Sequence, residues 1–148
     1  MELELPGCRI RSWRESDAPS LSRHADNRRV WLNVRDRFPH PYTLADAEFW
    51  VSRAAAARPE TQFAIEVNGE AAGGVGVFLQ EDVERFCAEI GYWLGEAYWN
   101  RGIATAVVRG FTEYAFEIAD KSSLEFVEER GDCRAYPCHS NNPRIRGT

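Results

Sequence analysis

Hydrophobic and polar positions follow two periods along this chain, and the switch between them divides it. Residues 8–14 (CRIRSWR) alternate, with Ile10 on one face and Arg9 and Arg11 on the other, which predicts a first strand. Ser16 or Asp17 is placed to cap a helix carrying Leu21, and residues 27–34 form a second short helical segment. Two prolines make residues 35–42 (RDRFPHPY) a loop. Thr43-Leu44-Ala45-Asp46 has the form of a capping box with Asp in place of Glu. The helix it opens should run to about Arg58, with Phe49, Trp50 and Ala54 sharing a face and Pro59 closing it.

The period then changes. Gln62–Val67 alternates as a strand, and Asn68-Gly69 is a strong hairpin signal because a type I′ turn needs positive φ at both places. Glu70–Leu79 is the return strand. Gly73, Gly74 and Gly76 interrupt it, which predicts a bulge or a close backbone approach. Residues 80–86 (QEDVERF) read as a polar turn and Cys87–Leu94 as the next strand. Residues 102–119 give the best helical pattern, with Val107, Val108, Phe111, Tyr114, Ala115 and Ile118 in its apolar stripe. The sum is an α+β fold: an antiparallel meander with helices before and after it.

One junction carries candidate chemistry. Across residues 88–108 (AEIGYWLGEAYWNRGIATAVV) a strand ends in Gly95, Tyr98-Trp99 follow, and Asn100-Arg101-Gly102-Ile103-Ala104-Thr105 leads into the helix. The first turn of a helix has unpaired N–H donors and a positive dipole end, so a phosphate sits there readily. Gly102 and Ala104 would keep side chains out of a diphosphate's way. Arg101 could add charge, or simply face solvent.

Composition narrows the class. The chain has 148 residues, enough for one domain with a real core. A net charge of −5 argues against nucleic-acid binding, which needs a basic stripe. The acidic start MELELP is no signal peptide, and no run approaches the ~20 apolar residues of a membrane helix, so neither membrane nor export is expected. Cys8, Cys87, Cys133 and Cys138 lack zinc-like spacing and read as free thiols of a cytoplasmic protein; a metal site using Cys133, Cys138 and His139 is the lesser alternative. No metal is expected.

The junction resembles the acetyl-CoA motif of the GCN5-related N-acetyltransferase (GNAT) family, Q/R-x-x-G-x-G/A. Trp99 stands at the first position, Gly102 at the glycine and Ala104 at the last. Trp99 departs from the general motif but is at home in the ribosomal-protein N-terminal acetyltransferase-like subfamily, where "GYWLG…YWGRGIAT" is the usual wording. Ala106 stands where that subfamily usually has Glu. The resemblance runs from about Cys8 to about Glu117 and implies a mixed, mostly antiparallel sheet between two helical layers. It also implies that the strand Cys87–Leu94 splays from its neighbour to admit the pantetheine arm.

The same resemblance implies a set of site residues. Acetyl-CoA would be the cosubstrate and an amine, at a protein N-terminus or on a small molecule, the acceptor. Ile90, Gly91, Tyr92, Trp93 and Leu94 would flank the cofactor, with Asn100, Arg101, Gly102, Ile103, Ala104 and Thr105 around its phosphates and Asn142 in a later N-P-x-S-like segment. Glu89 is the candidate base, with oxyanion help from a backbone N–H near Gly91 or Tyr92. The alternative for Glu89 is a structural ion pair with an Arg on a neighbouring strand. Trp31, Phe38 and Tyr42 would line the acceptor pocket, with Trp50 in the same region; the alternative for all of them is plain core. Arg35 and Arg37 could meet an acidic substrate group, Asp82 and Glu84 could attract an amine, and His24, His40 and His139 read as surface or loop residues.

Beyond residue 118 the resemblance fades. Residues 120–130 do not read like the expected link, residues 133–137 are the candidate fifth main strand, and Ile145 falls where the subfamily has Ser. The C-terminal helix and hairpin of the family are expected to be missing from a single, incomplete domain, and with them the general acid. Exposed apolar surface and marginal stability, or a covering partner, should follow. A homodimer is a possible assembly. The alternative function is a catalytically impaired remnant that binds CoA weakly or only packs with a partner.

Overall fold

The computed structural model describes residues 1–34, 38–79, 87–119, 123–128 and 132–134. Seven strands form one sheet in chain order: β1 Glu2–Leu5, β2 Cys8–Ser12, β3 Gln62–Val67, β4 Glu70–Leu79, β5 Cys87–Leu94, β6 Ser123–Glu128 and β7 Asp132–Arg134. All neighbours are antiparallel except β5 and β6, which run parallel and are joined across helix α4, Ile103–Ala119. Parallel neighbours require such a crossover, and α4 supplies it. Helices α1 Ala18–Ala25, α2 Arg28–Trp31 and α3 Leu44–Ala56 precede the meander.

Strand alternation sends two sets of side chains to two helical layers. Ile10, Phe63, Ile65, Val75, Val77 and Ile90 pack with Val107, Phe111 and Ala115 of α4. Trp13, Ala64 and Ala71 pack with Leu21 of α1 and with Tyr42, Ala47 and Val51. This is the three-layer α+β arrangement expected of the chain. Asn68 (φ 52°) and Gly69 (φ 80°) make the left-handed hairpin turn, and Thr43 and Asp46 form the reciprocal capping box of α3.

Several local expectations are corrected. Residues 2–5 form a strand: Glu2-Leu3-Glu4-Leu5 alternates, and Gly7 at φ 79° turns it onto β2. Arg11 does not share a solvated face with Arg9. It is 2% exposed and donates two hydrogen bonds to Asp17 (2.7 and 2.8 Å) and another to Glu66. Asp17 therefore holds Arg11 instead of capping α1. Phe49 leaves the buried face of α3 and stands 64% exposed under the guanidinium of Arg53, while Val51 takes its expected place. The strand after α4 is not at residues 133–137 but at Ser123–Glu128, where apolar Leu124, Phe126 and Val127 pair in parallel with β5; Cys133 belongs to the short β7. β6 and β7 pair antiparallel at this end of the sheet. Cys138, His139, Asn142 and the polar turn at 80–86, with Asp82 and Glu84, lie outside the described residues.

Candidate active site

The loop between β5 and α4 is tied down at every step. The expected irregularity in β4 falls at Ala72, where the register to β3 shifts, and the freed Ala72 carbonyl accepts the Gly95 N–H at 2.7 Å. Gly95 is required there, because a Cβ would come within 2.7 Å of His24 Nδ1. Tyr98 donates its hydroxyl to Glu70 at 3.0 Å, and Glu70 also takes His24 at 2.9 Å and Arg23. These bonds, that from His24 foremost, hold the Glu70 carboxyl below its ordinary pKa. Glu96 accepts from Asn27 (2.8 Å) and Arg29. Trp99, the departure from the family motif, acts locally. Its indole N–H bonds the Leu94 carbonyl at 2.7 Å, closing the loop on the end of β5.

The loop then turns through two left-handed residues, Asn100 (φ 60°) and Gly102 (φ 75°), into α4. The Gly102 carbonyl accepts the Ala106 N–H, so the helix starts immediately after it. A Cβ on Gly102 would meet nothing within 4 Å, so the space over the helix start is open. Ile103 is buried in the α4 core and contributes only backbone there, while Thr105 is exposed. Arg101 lies over the Tyr98 ring at 5.5 Å, on the solvent side of the loop.

On β5 the ladder with β6 runs from Cys87↔Ser123 to Gly91↔Val127 and extends no further among the described residues. Residues 92–94, the stretch expected to receive the pantetheine arm, lie beyond that ladder. Ile90 and Leu94 turn their side chains into the α4 core, so what they offer a cofactor is backbone. The Trp93 indole packs on the other layer, 5.5 Å from Phe38. An open first turn of α4 with small residues, beside the end of β5, fits a phosphate-bearing thioester with an extended arm.

A cavity of about 260 Å³ lies on the α1–α3 side of the same strand. Glu89, 9% exposed, lines it together with Phe38, Tyr42 and Trp50. Facing glycines make its floor: Gly76 pairs with Gly91 across the ladder, next to the Phe78↔Glu89 pair. A Cβ on Gly91 would come within 2.9 Å of the Phe78 ring, and one on Gly76 would overlap the Gln62 side chain. Burial of Tyr42 pushes its phenol up to about 12, with Asp46 adding to the effect.

Of the expected acceptor residues, Phe38 and Tyr42 reach this cavity, 4.9 Å from each other. Trp31 does not line it; its ring stacks on His40 at 5.1 Å. Neither β4 nor β6, the strands that flank β5, contains a basic residue. Arg35 and Arg37 lie outside the described residues. Sequence reasoning missed Trp13, Gln62 and Leu21 as wall residues. Trp13 follows the end of β2 directly, and an aromatic leaving a strand toward the helical layer was the available signal.

Comparison with known proteins places the chain. A family model described as an acetyltransferase (GNAT) domain matches residues 8–145, reaching past the point where the motif resemblance fades. Among solved structures, a GNAT-family acetyltransferase from Bacillus anthracis shares the fold at TM-score 0.68 and 15% identity, over 85% of this chain and 72% of that one. RimL, a ribosomal alpha-N-protein acetyltransferase solved with coenzyme A, superposes at TM-score 0.66 and 18% identity, over 83% and 73% of the two chains. The microcin self-immunity acetyltransferase MccE, solved with acetyl-CoA and AMP, gives TM-score 0.66 and 17% identity, over 81% and 68%. Acetyl-CoA is the cosubstrate of such enzymes. With the fold, the loop and the family match in agreement, this chain belongs to the GNAT acetyltransferase family.

Proposed function

We propose that this enzyme transfers the acetyl group of acetyl-CoA to a primary amine by direct attack in a ternary complex. The observation that carries this reading is the position of Glu89. It is a buried carboxylate on β5, in the wall of a cavity that also reaches residues 91–93 of the same strand. When bound, acetyl-CoA supplies the thioester carbonyl for the amine to attack and the thiolate that leaves. The open first turn of α4 holds the phosphates, through the N–H groups that follow Gly102. A backbone N–H at Gly91 or Tyr92 polarises the carbonyl. An α-amino group titrates near 8 and a lysine near 10.4, so the amine arrives protonated at neutral pH and must lose a proton. Glu89 takes it, directly or through one water. A cytoplasmic setting suits the free, buried thiol of Cys8.

The test uses purified protein. Its melt is recorded with and without acetyl-CoA, and thiol release is followed with a primary amine present. A ligand at ~100 times its Kd adds about 2.7 kcal/mol of stability, so a clear upward shift is expected, with thiol release that needs both reactants. A shift without amine-dependent release would reduce the chain to a CoA-binding remnant. No shift in a folded protein would remove the acetyl-CoA site itself.

A further inference from the structure

Resting on the reading of the α4 start as the phosphate site, we propose that Glu70 is a positioning residue for the cofactor: it holds the Tyr98 ring, and the ring holds Arg101 beside Gly102, where the guanidinium meets the phosphates of acetyl-CoA. Glu70 itself touches no substrate and acts through Tyr98 and Arg101.

The chain of contacts starts at the hairpin. Glu70 is the first residue of β4, directly after the left-handed Asn68-Gly69 turn, and it pairs with Val67 in the ladder to β3. Its carboxylate gathers three donors from two other elements. Tyr98 gives its hydroxyl at 3.0 Å, Arg23 of α1 a guanidinium N–H, and His24 of α1 approaches through Nε2 at 2.9 Å. A carboxylate only accepts, so the Nε2 of His24 carries a proton. The Nδ1 edge of the same ring abuts Gly95, and the ring lies 5.6 Å from that of Tyr98. Helix α1, strand β4 and the loop between β5 and α4 thus meet on one carboxylate. A second carboxylate, Glu96, ties this loop to Asn27 and Arg29. The Arg29 side chain is 68% exposed and that of His24 only 12%, so the knot at Glu70 is the better shielded of the two.

Tyr98 passes this order on. It is buried and packs in the core beside Ile103, while its hydroxyl is fixed at Glu70. The exposed Arg101 lies over its ring at 5.5 Å. A guanidinium resting on an aromatic face keeps its in-plane N–H donors free at the edge for a phosphate. An arginine already placed in this way loses less rotamer freedom when an anion binds. Arg101 immediately precedes Gly102, whose left-handed turn leads into α4.

Charge alone predicts the opposite behaviour. A carboxylate near the site of a polyanion repels it, so deleting Glu70 should tighten binding. The positioning role predicts weaker binding, and the sign separates the two.

The experiment measures the Kd of acetyl-CoA by calorimetry on the full chain. Glu70→Ala should weaken binding about three- to tenfold, the range expected when a guanidinium loses an ordered ring beneath it. Glu70→Gln, whose amide oxygen still accepts the Tyr98 hydroxyl, should recover most of that loss. Tyr98→Phe keeps the ring and deletes the bond to Glu70; it should also weaken binding, and it carries the comparison if Glu70→Ala does not fold. In an Arg101→Met background neither substitution should weaken binding further, because their route to the phosphates is gone. Unchanged or tighter binding in Glu70→Ala and Tyr98→Phe overturns the inference. So does a loss of the same size in the Arg101→Met background, which would show a loop merely loosened. An unsubstituted protein that binds no acetyl-CoA overturns both this inference and the phosphate site. The expected binding pattern without acetyl transfer to an amine sustains the inference and removes only the catalytic reading of Glu89.

Discussion

On the α4 side of the sheet Phe63, Ile65, Val75, Val77 and Ile90 meet Val107, Phe111 and Ala115, all of them 2% exposed or less. From the other side of the same strands come Ala64, Gly74, Gly76, Glu89 and Gly91, with the buried Arg11–Asp17–Glu66 cluster beside them. One face is filled with buried apolar side chains; the other has glycines at its centre and keeps charges. A single strand serves both, since β5 gives Ile90 to the core and Glu89 and Gly91 to the cavity. On the proposed function, stability and chemistry are divided across one layer of backbone.

The sharpest way to test the closed face is Phe111→Ala. Phe111 is fully buried and meets Phe63 edge-on at 5.7 Å, so the loss should be about 3–5 kcal/mol in urea unfolding. A cost below ~1 kcal/mol would mean that α4 does not seal the sheet. The charged cluster on the other face should answer to Arg11→Met with a loss of roughly 3 kcal/mol, because Asp17 and Glu66 would stay buried without their cation. A neutral result would show that water reaches them.

Tyr42 sharpens the cavity side through pH. Its folded pKa of about 12 lies above the ordinary 10. The folded form therefore keeps a proton that the unfolded chain loses, and the associated stability is complete below pH 10 and lost as pH rises toward 12. Removing the hydroxyl in Tyr42→Phe should cut this alkaline loss by an amount on the order of 2 kcal/mol, read from unfolding curves between pH 9 and 11.5. An unchanged alkaline limb would contradict the burial of that phenol. The smallest effect belongs to Thr43→Ala, which opens the capping box of α3 and should cost about 1 kcal/mol without altering ligand preference.

The meander and its hairpin were legible because they rest on local rules. Asn68-Gly69 demanded left-handed backbone, Thr43 and Asp46 a cap, and Gly102 before an apolar stripe a helix start. Arg11 and Phe49 were misplaced for one reason: alternation ranks a charged residue as outward and a ring as inward. It cannot see that Asp17 and Glu66 neutralise the first, or that Arg53 covers the second. The strand Ser123–Glu128 was missed because its partner, β5, lies across a whole helix. Within the site, Glu89 came from family resemblance. The glycine floor was visible as interruptions of β4 but not as a cavity, since Gly76 faces Gly91 only once the register is set.

The central claim is that the open face does acyl transfer with Glu89 as its base. It is tested most directly by thiol release from acetyl-CoA in Glu89→Gln, measured beside the acetyl-CoA-induced melting shift of the same sample. The account predicts a fall in kcat of about 10²–10⁴-fold with the melting shift retained, because it assigns the cofactor's phosphates to the start of α4 and not to this carboxylate. Turnover within about twofold of the unsubstituted protein would contradict it.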